Sequence, residues 1–262
     1  MKNVVVLIDY TEECKVALQQ TRVIEELSGA QIHAMHVVSK DITPEEHAKL
    51  KKFAEDVVGE RTDVETHLAD GGLIDSLATA LQVINPDLVV LCTQGIHGIV
   101  QRLFGARILK LVQSVDLPFL VVHGNAVIAE EGFNKILFPA TPSPNAIKKI
   151  EQTASLAAEM DSEVVFYEID RYVGDSADAI AANFEMAKKH FKERGIKWSQ
   201  IKEQSHGASI GFAKQTLEFA NDHGIEVIAM LSEVTDHGMV MLKADKEAIL
   251  TNDFGISVLA CG

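Results

Sequence analysis

The residue types that could do chemistry concentrate in TQGIHGIVQRLFGAR, residues 93–107. Gly95 and Gly98 follow an apolar, strand-like run. Without a Cβ they let the chain turn tightly and let a ligand approach the main chain. Gly105, Ala106 and Arg107 are predicted at or just before the start of the next helix. Unpaired amide N–H groups and the helix dipole favour an anion there. A glycine loop leading from a strand to a helix N-terminus is what a phosphate cradle requires, although glycines also mark ordinary turns. The run contains neither G-x-G-x-x-G nor G-x-x-x-x-G-K-[ST]. His97 either faces the ligand or is simply exposed. Arg102, Arg107 and Lys110 could add charge toward a phosphate or serve as solvated helix residues. Asp9 closes the first apolar run and either contacts a ligand or caps the following helix through nearby amides.

These residues need strands and helices to position them. Val4–Ile8 is a continuous apolar run, as expected of a strand buried on both faces. A helix from Thr11 to about Ser28 follows, with Thr11 as cap and Gly29 as stop. Gln31–Val38 reads as a second strand. Asp41 to about Val58 is helical, announced by Thr43, Pro44 and Glu45. Asp63–Ala69 is a third strand, Leu73–Ile84 a helix halted by Asn85-Pro86, and Asp87–Thr93 a fourth strand. A helix over Ala106–Ser114 and a strand over Pro118–Val122 close the first half. Strands alternating with crossover helices imply a parallel sheet covered on both faces. Ligands bind such sheets beyond the carboxyl ends of the strands, where strand order switches.

The second half repeats the plan. NKILFPATPSPNAIKKI parallels KNVVVLIDYTEECKVAL, SEVVFYEID parallels AQIHAMHVV, IEVIAMLSE parallels PDLVVLCTQ, and GISVLACG parallels LPFLVVHG. The predicted domains are residues 1–126 and 132–262, joined in HGNAVIAEEGFN. A chain of 262 residues suits two domains of roughly 100–150 residues each. At 47% hydrophobic, each half can bury a core. Fusion would make the pairing of the copies intramolecular.

A net charge of −14 is repelled by the phosphate backbone of nucleic acid and by an anionic membrane. No apolar stretch is long enough for a signal peptide's core or a bilayer span, so a cytoplasmic protein is expected. Three widely spaced cysteines, Cys14, Cys92 and Cys261, imply neither disulfides nor a zinc cluster. The chain has ten histidines but no H-E-x-x-H or paired C-x-x-C. His33 and His36 stand three apart in a strand and so face opposite sides. No metal is expected.

Together, VVVLIDYTEE at the start, HVV closing the second strand and GIHG-x6-GAR before the last helix resemble the universal stress protein family. The resemblance covers both halves. It implies α/β architecture, with two tandem Rossmann-like, five-stranded parallel-sheet domains of the adenine-nucleotide alpha-hydrolase kind packed as an intramolecular pseudo-dimer. Many members of the family dimerise through the last strand, so a further homodimer is compatible with it. Members that bind ATP or AMP carry G-x2-G-x9-G-[ST]. By this resemblance Asp9 lies beside the adenine and ribose, and the backbone of Val37 meets the adenine. Gly95 and Gly98 are the first two glycines of the phosphate loop, Gly105 is the third, and Ala106 stands where Ser or Thr belongs. Six residues rather than nine separate Gly98 from Gly105. Losing the hydroxyl at Ala106 would cost about 1–2 kcal/mol, which Arg107 could offset with charge.

The second copy departs further. Thr141 replaces Asp9, and SEVTDHGMVMLKADK replaces the glycine loop and retains only Gly238. Glu233, Asp236 and Asp245 crowd that region, where carboxylates would repel a phosphate; His237 lies beside Asp236. The resemblance implies a stress-response protein that senses ATP or AMP through the first domain. The alternative is a nucleotide-free interaction scaffold or a holder of another small ligand. No general base is placed near the glycine loop, and H-x-G-H, S-G-G-x-D-S and G-x-S-x-G are missing, which argues against an enzyme.

Overall fold

The computed structural model describes residues 1–38, 42–59, 63–71, 73–93, 99–205, 211–233 and 243–262. The first half holds β1 (Asn3–Leu7), α1 (Glu12–Ser28), β2 (Gln31–Val38), α2 (Pro44–Val58), β3 (Val64–Asp70), α3 (Leu73–Ile84), β4 (Leu88–Thr93), α4 (Ile99–Ser114) and β5 (Phe119–His123). The second holds β6 (Lys135–Pro139), α5 (Ala146–Met160), β7 (Glu163–Asp170), α6 (Asp175–Glu193), β8 (Trp198–Gln204), α7 (Phe212–Asp222), β9 (Val227–Leu231), α8 (Lys243–Leu250) and β10 (Ser257–Cys261). Among the described residues no helix is long and apolar enough to cross a membrane.

The local signals act as expected. Thr11 is extended and accepts from the Cys14 amide, while Gly29 ends α1 in the left-handed region at φ 70°. Thr43 caps α2 through the Glu46 amide, with Pro44 in its first turn. Two departures are informative. The helix expected from Ala106 begins at Ile99, more than a turn earlier. In the sequence Val100, Phe104, Ile108 and Leu111 recur at helical spacing, and one internal glycine costs a helix only about 1 kcal/mol. β8 is the strand that matching the halves leaves unassigned, because it is an edge strand of alternating exposed and half-buried residues.

All strands join one ten-stranded sheet in the order β3-β2-β1-β4-β5-β10-β9-β6-β7-β8. Within each half every pairing is parallel. The halves meet through β5 and β10, which pair antiparallel: Phe119 with Ala260, Leu120 with Leu259, Val121 with Val258. Successive residues of a strand face opposite sides, so two cores form. Val4, Val6, Leu120 and Leu259 belong to one, Val5, Phe119, Val121 and Val258 to the other. Each core runs across both halves. Around the seam α1 packs on α5, and α4 on α8. In each half the strand order reverses once beside the central strand, between β1 and β4 and between β6 and β9.

A buried polar joint crosses the seam at His123. His123 in β5 is buried. Its Nδ1 lies 2.9 Å from Thr93 Oγ1 and its Nε2 3.0 Å from Asn252 Nδ2. Asn252 Oδ1 accepts from the Ile256 amide, which turns Nδ2 toward the imidazole. An amide nitrogen only donates, so Nε2 accepts and the proton sits on Nδ1. Burial pushes this histidine down to about 4. Between pH 6.5 and 4 the unfolded chain therefore binds the proton that the folded chain refuses, and stability falls as pH falls. Urea unfolding of the wild type and His123→Gln across that window should show the wild type losing on the order of 3 kcal/mol more than the variant. Parallel pH profiles would refute the buried neutral imidazole.

Candidate functional site

The carboxyl ends of β1, β2 and β4 and the inner side of α4 enclose a cavity of about 250 Å³. Its walls include Leu7, Ile8, Met35, Val37, Leu91, Ile108 and Leu111. It sits at the β1/β4 reversal, where an open α/β sheet leaves a crevice because crossovers depart to opposite sides. The lining is apolar at depth and polar at the rim, the composition of a small-molecule site. Asp9 and Arg107, both exposed, supply the opposite charges of that rim.

Asp9 is held in place locally. Its Oδ1 accepts from the Thr11 amide at 3.0 Å and the Thr11 hydroxyl at 2.6 Å. Capping of α1 itself falls to Thr11, so the aspartate's role is to fix the turn into the cap. Tyr10 between them has φ 64°, an unusual value for a non-glycine residue. Its ring packs on His36 at 4.5 Å, edge-on to Phe53 at 5.4 Å and under Lys49 Nζ at 3.8 Å. Three side chains from two elements, β2 and α2, thus grip the strained turn that presents Asp9. His36 Nδ1 lies 2.6 Å from the Ile8 carbonyl and so donates to it.

The structure therefore brings Asp9, Val37 and Arg107 to one cavity. Gly95 and Gly98, with His97, lie outside the described residues. Gly105 and Ala106 are placed differently from expectation: both stand inside α4, beyond its first turn. Amides at that depth are taken up by the i−4 carbonyls. The free donors at this helix end belong to the residues that open it at Ile99. Cys92 also lines the cavity, with Sγ 3.0 Å from the Glu13 carbonyl. Burial raises the Cys92 thiol, so it stays protonated.

The equivalent crevice of the second half is nearly filled, with about 20 Å³ left. Pro139, Ala140, Thr141, Met230 and Leu231 line it in place of Leu7, Ile8, Asp9, Leu91 and Cys92. Two lysines make the difference. Lys246 stands where Ile108 stands, and its Nζ donates to the Glu233 carbonyl. Lys149 replaces Ala17; its Nζ donates to the Pro139 carbonyl at 2.6 Å and sits 4.0 Å over the Phe138 ring. Burial pushes Lys149 down to about 7 and Lys246 to about 8. The Glu233 carboxylate accepts from Ser143 Oγ at 3.1 Å and from Asn145 Nδ2 at 2.7 Å. Asn183 in α6 clasps the same turn through the Thr141 and Ser143 carbonyls. Asp245 is turned to the Ala213 amide. Asp236, His237 and Gly238 lie outside the described residues. The carboxylates do more than repel an anion, because Glu233 itself ties the loop after β9 to the start of α5.

One cluster was not legible as a site in the sequence. His33, Glu65 and His67 converge from β2 and β3, with ligand atoms within 4.8 Å of one another. The expectation of no metal considered His33 with His36, which do face apart. The useful signal was E-x-H on a strand, whose two side chains share a face.

Residues 1–123 match the family model described as the universal stress protein family. A universal stress protein from Archaeoglobus fulgidus DSM 4304 is similar over 99% of this chain and 96% of its own, at 14% identity and a TM-score of 0.67. A functionally unknown protein from Pseudomonas aeruginosa PAO1 is similar over 100% of this chain and 92% of its own, at 14% identity and a TM-score of 0.65. The cytoplasmic domain of a prokaryotic cation chloride cotransporter shares the fold at 10% identity, 99% and 94% coverage and a TM-score of 0.53. No curated protein matches in sequence. At such identities the structural likenesses speak for fold alone. The family match places residues 1–123 in the universal stress protein family, and the second half is built on the same strand order around its own β6/β9 reversal.

Proposed function

We propose that the chain is a nucleotide-responsive regulatory protein of the cytoplasm, with domains at residues 1–126 and 132–262, that holds one ATP or AMP in the first domain. The observation that carries this reading is the asymmetry of the two crevices, about 250 Å³ against about 20 Å³. The open one is small for a ligand pocket, for which roughly 300–1,000 Å³ is typical. It suits a base and ribose with the phosphates outside. In this reading Met35, Val37, Leu91 and Ile108 sandwich the adenine, and the Val37 backbone meets its edge. Asp9 accepts from the ribose hydroxyls. Gly95, Gly98 and the opening of α4 face the phosphates, and Arg107 supplies their counter-charge. Gly105 and Ala106 drop out of the phosphate contacts because α4 uses their amides.

The reading includes no turnover. Burial holds the Cys14 thiol up at about 12 and raises Cys92 too, so neither is a ready nucleophile. His36 spends Nδ1 on the Ile8 carbonyl. A second reading, a scaffold without nucleotide, is favoured by the early start of α4 at Ile99, which removes the third glycine from the loop.

Titration calorimetry with ATP and AMP separates the two. One nucleotide per chain should bind, and Asp9→Ala should weaken it tenfold or more, the cost of about 1.4 kcal/mol. No heat and no thermal shift at millimolar nucleotide would leave the scaffold reading. In the second domain, Glu233→Ala should create no second site. It should lower stability by about 1–3 kcal/mol, since Ser143 Oγ and Asn145 Nδ2 lose their charged acceptor. Chemical denaturation measures the loss.

A further inference from the structure

We propose that His33, Glu65 and His67 form a binding site for a borderline divalent cation, Zn²⁺ foremost. The three residues lie on adjacent parallel strands. Register pairs His33 with Glu65 and Met35 with His67. Residues two apart on a strand share a face, so all three side chains project to the same side. His33 Nδ1 lies 3.0 Å from His67 Nε2 and 3.4 Å from Glu65 Oε2; His67 Nε2 lies 3.8 Å from that same oxygen. Zn²⁺ holds imidazole nitrogens and carboxylate oxygens at about 2.0–2.2 Å. Tetrahedral angles then set neighbouring ligand atoms about 3.4 Å apart. The triangle already has that size.

The tautomer is also set. His33 Nε2 lies 3.3 Å from Asn3 Oδ1, an oxygen that only accepts. The proton of His33 therefore sits on Nε2, and the Nδ1 lone pair points into the triangle. A metal-bound histidine commonly donates its other N–H to such an outer acceptor. Burial lowers both imidazoles, which keeps them in the neutral form that metals take. His33 is nearly enclosed, whereas the Glu65 side chain is 56% exposed and that of His67 33% exposed. The open side gives the ion a path in and leaves a coordination position for water. Two nitrogens and one carboxylate oxygen favour Zn²⁺, Co²⁺ or Ni²⁺ over Mg²⁺ or Ca²⁺, which prefer all-oxygen shells.

The competing account is a hydrogen-bonded cluster in which one proton is shared between His33 and His67 and which serves only to join β2 to β3. Calorimetry with Zn²⁺ on the full, tag-free, chelator-treated chain separates the two, with the visible spectrum of the Co²⁺ form as a second readout. Glu65→Gln and His67→Gln are the variants. Both positions are partly exposed on an edge strand, and thermal melts confirm folding. One Zn²⁺ per chain, at least tenfold weaker in each variant, with the absorption of low-coordinate Co²⁺ lost in both, is the expected result. A folded wild type that takes up no Zn²⁺ would overturn the site. So would Zn²⁺ bound with equal affinity by both variants, since the ion then lies elsewhere.

Discussion

The antiparallel pairing of β5 with β10 is the constraint on which the rest depends. It turns two parallel sheets into one and makes each core continuous across the halves. Backbone hydrogen bonds set the register, while the side chains of Leu120, Leu259, Val121 and Val258, all fully buried, fill both faces of the joint. Fully burying a side chain of this size is worth about 1.5–3 kcal/mol. The seam therefore belongs to the core, and neither half keeps a free face there. α1 against α5 and α4 against α8 repeat the same near-twofold relation on the two sides.

That relation ties the open crevice to the closed domain. α4 lines the cavity through Arg107, Ile108 and Leu111, and its Gln113 donates to the Ser232 carbonyl of the second half at 2.7 Å. Thr93, at the end of β4, meets His123, which meets Asn252 just beyond α8. A displacement of α4 by an occupant of the cavity has direct mechanical neighbours in the second domain. The second domain in turn is cross-tied by Lys246, Glu233, Ser143, Asn145 and Asn183. One half offers a cavity and the other offers a stiff partner.

Much of this was legible in the sequence. The continuous β-branched runs named β1 and β4, the Thr and Gly caps bounded α1, and the matched segments announced the duplication. The chemistry near α4 was harder. Gly105 reads as a loop glycine because its neighbours match a motif, whereas the i, i+4, i+8 spacing of Val100, Phe104 and Ile108 carries the helix through it. The filling of the second crevice was half legible. Losing Asp9's counterpart was visible at Thr141, but the lysine stems that close the space come from α5 and α8, and only packing reveals that they converge. The histidine–glutamate triangle depends on the register of β2 against β3, which no local pattern encodes.

The outermost strands of the joined sheet, β3 and β8, are the same element of each half. Joining at β5 and β10 leaves two chemically similar borders facing opposite directions, with backbone donors and acceptors still able to recruit another chain. Left apolar, such borders would template end-on growth into filaments. Glu65 and His67 on one border, and Lys202 and Glu203 on the other, carry charge and polarity at those margins. Lys202 is further anchored to Glu168 and Asp170 on the neighbouring strand. The duplication thus consumes the border at which the two halves pair and leaves at the outer margins two that carry charge.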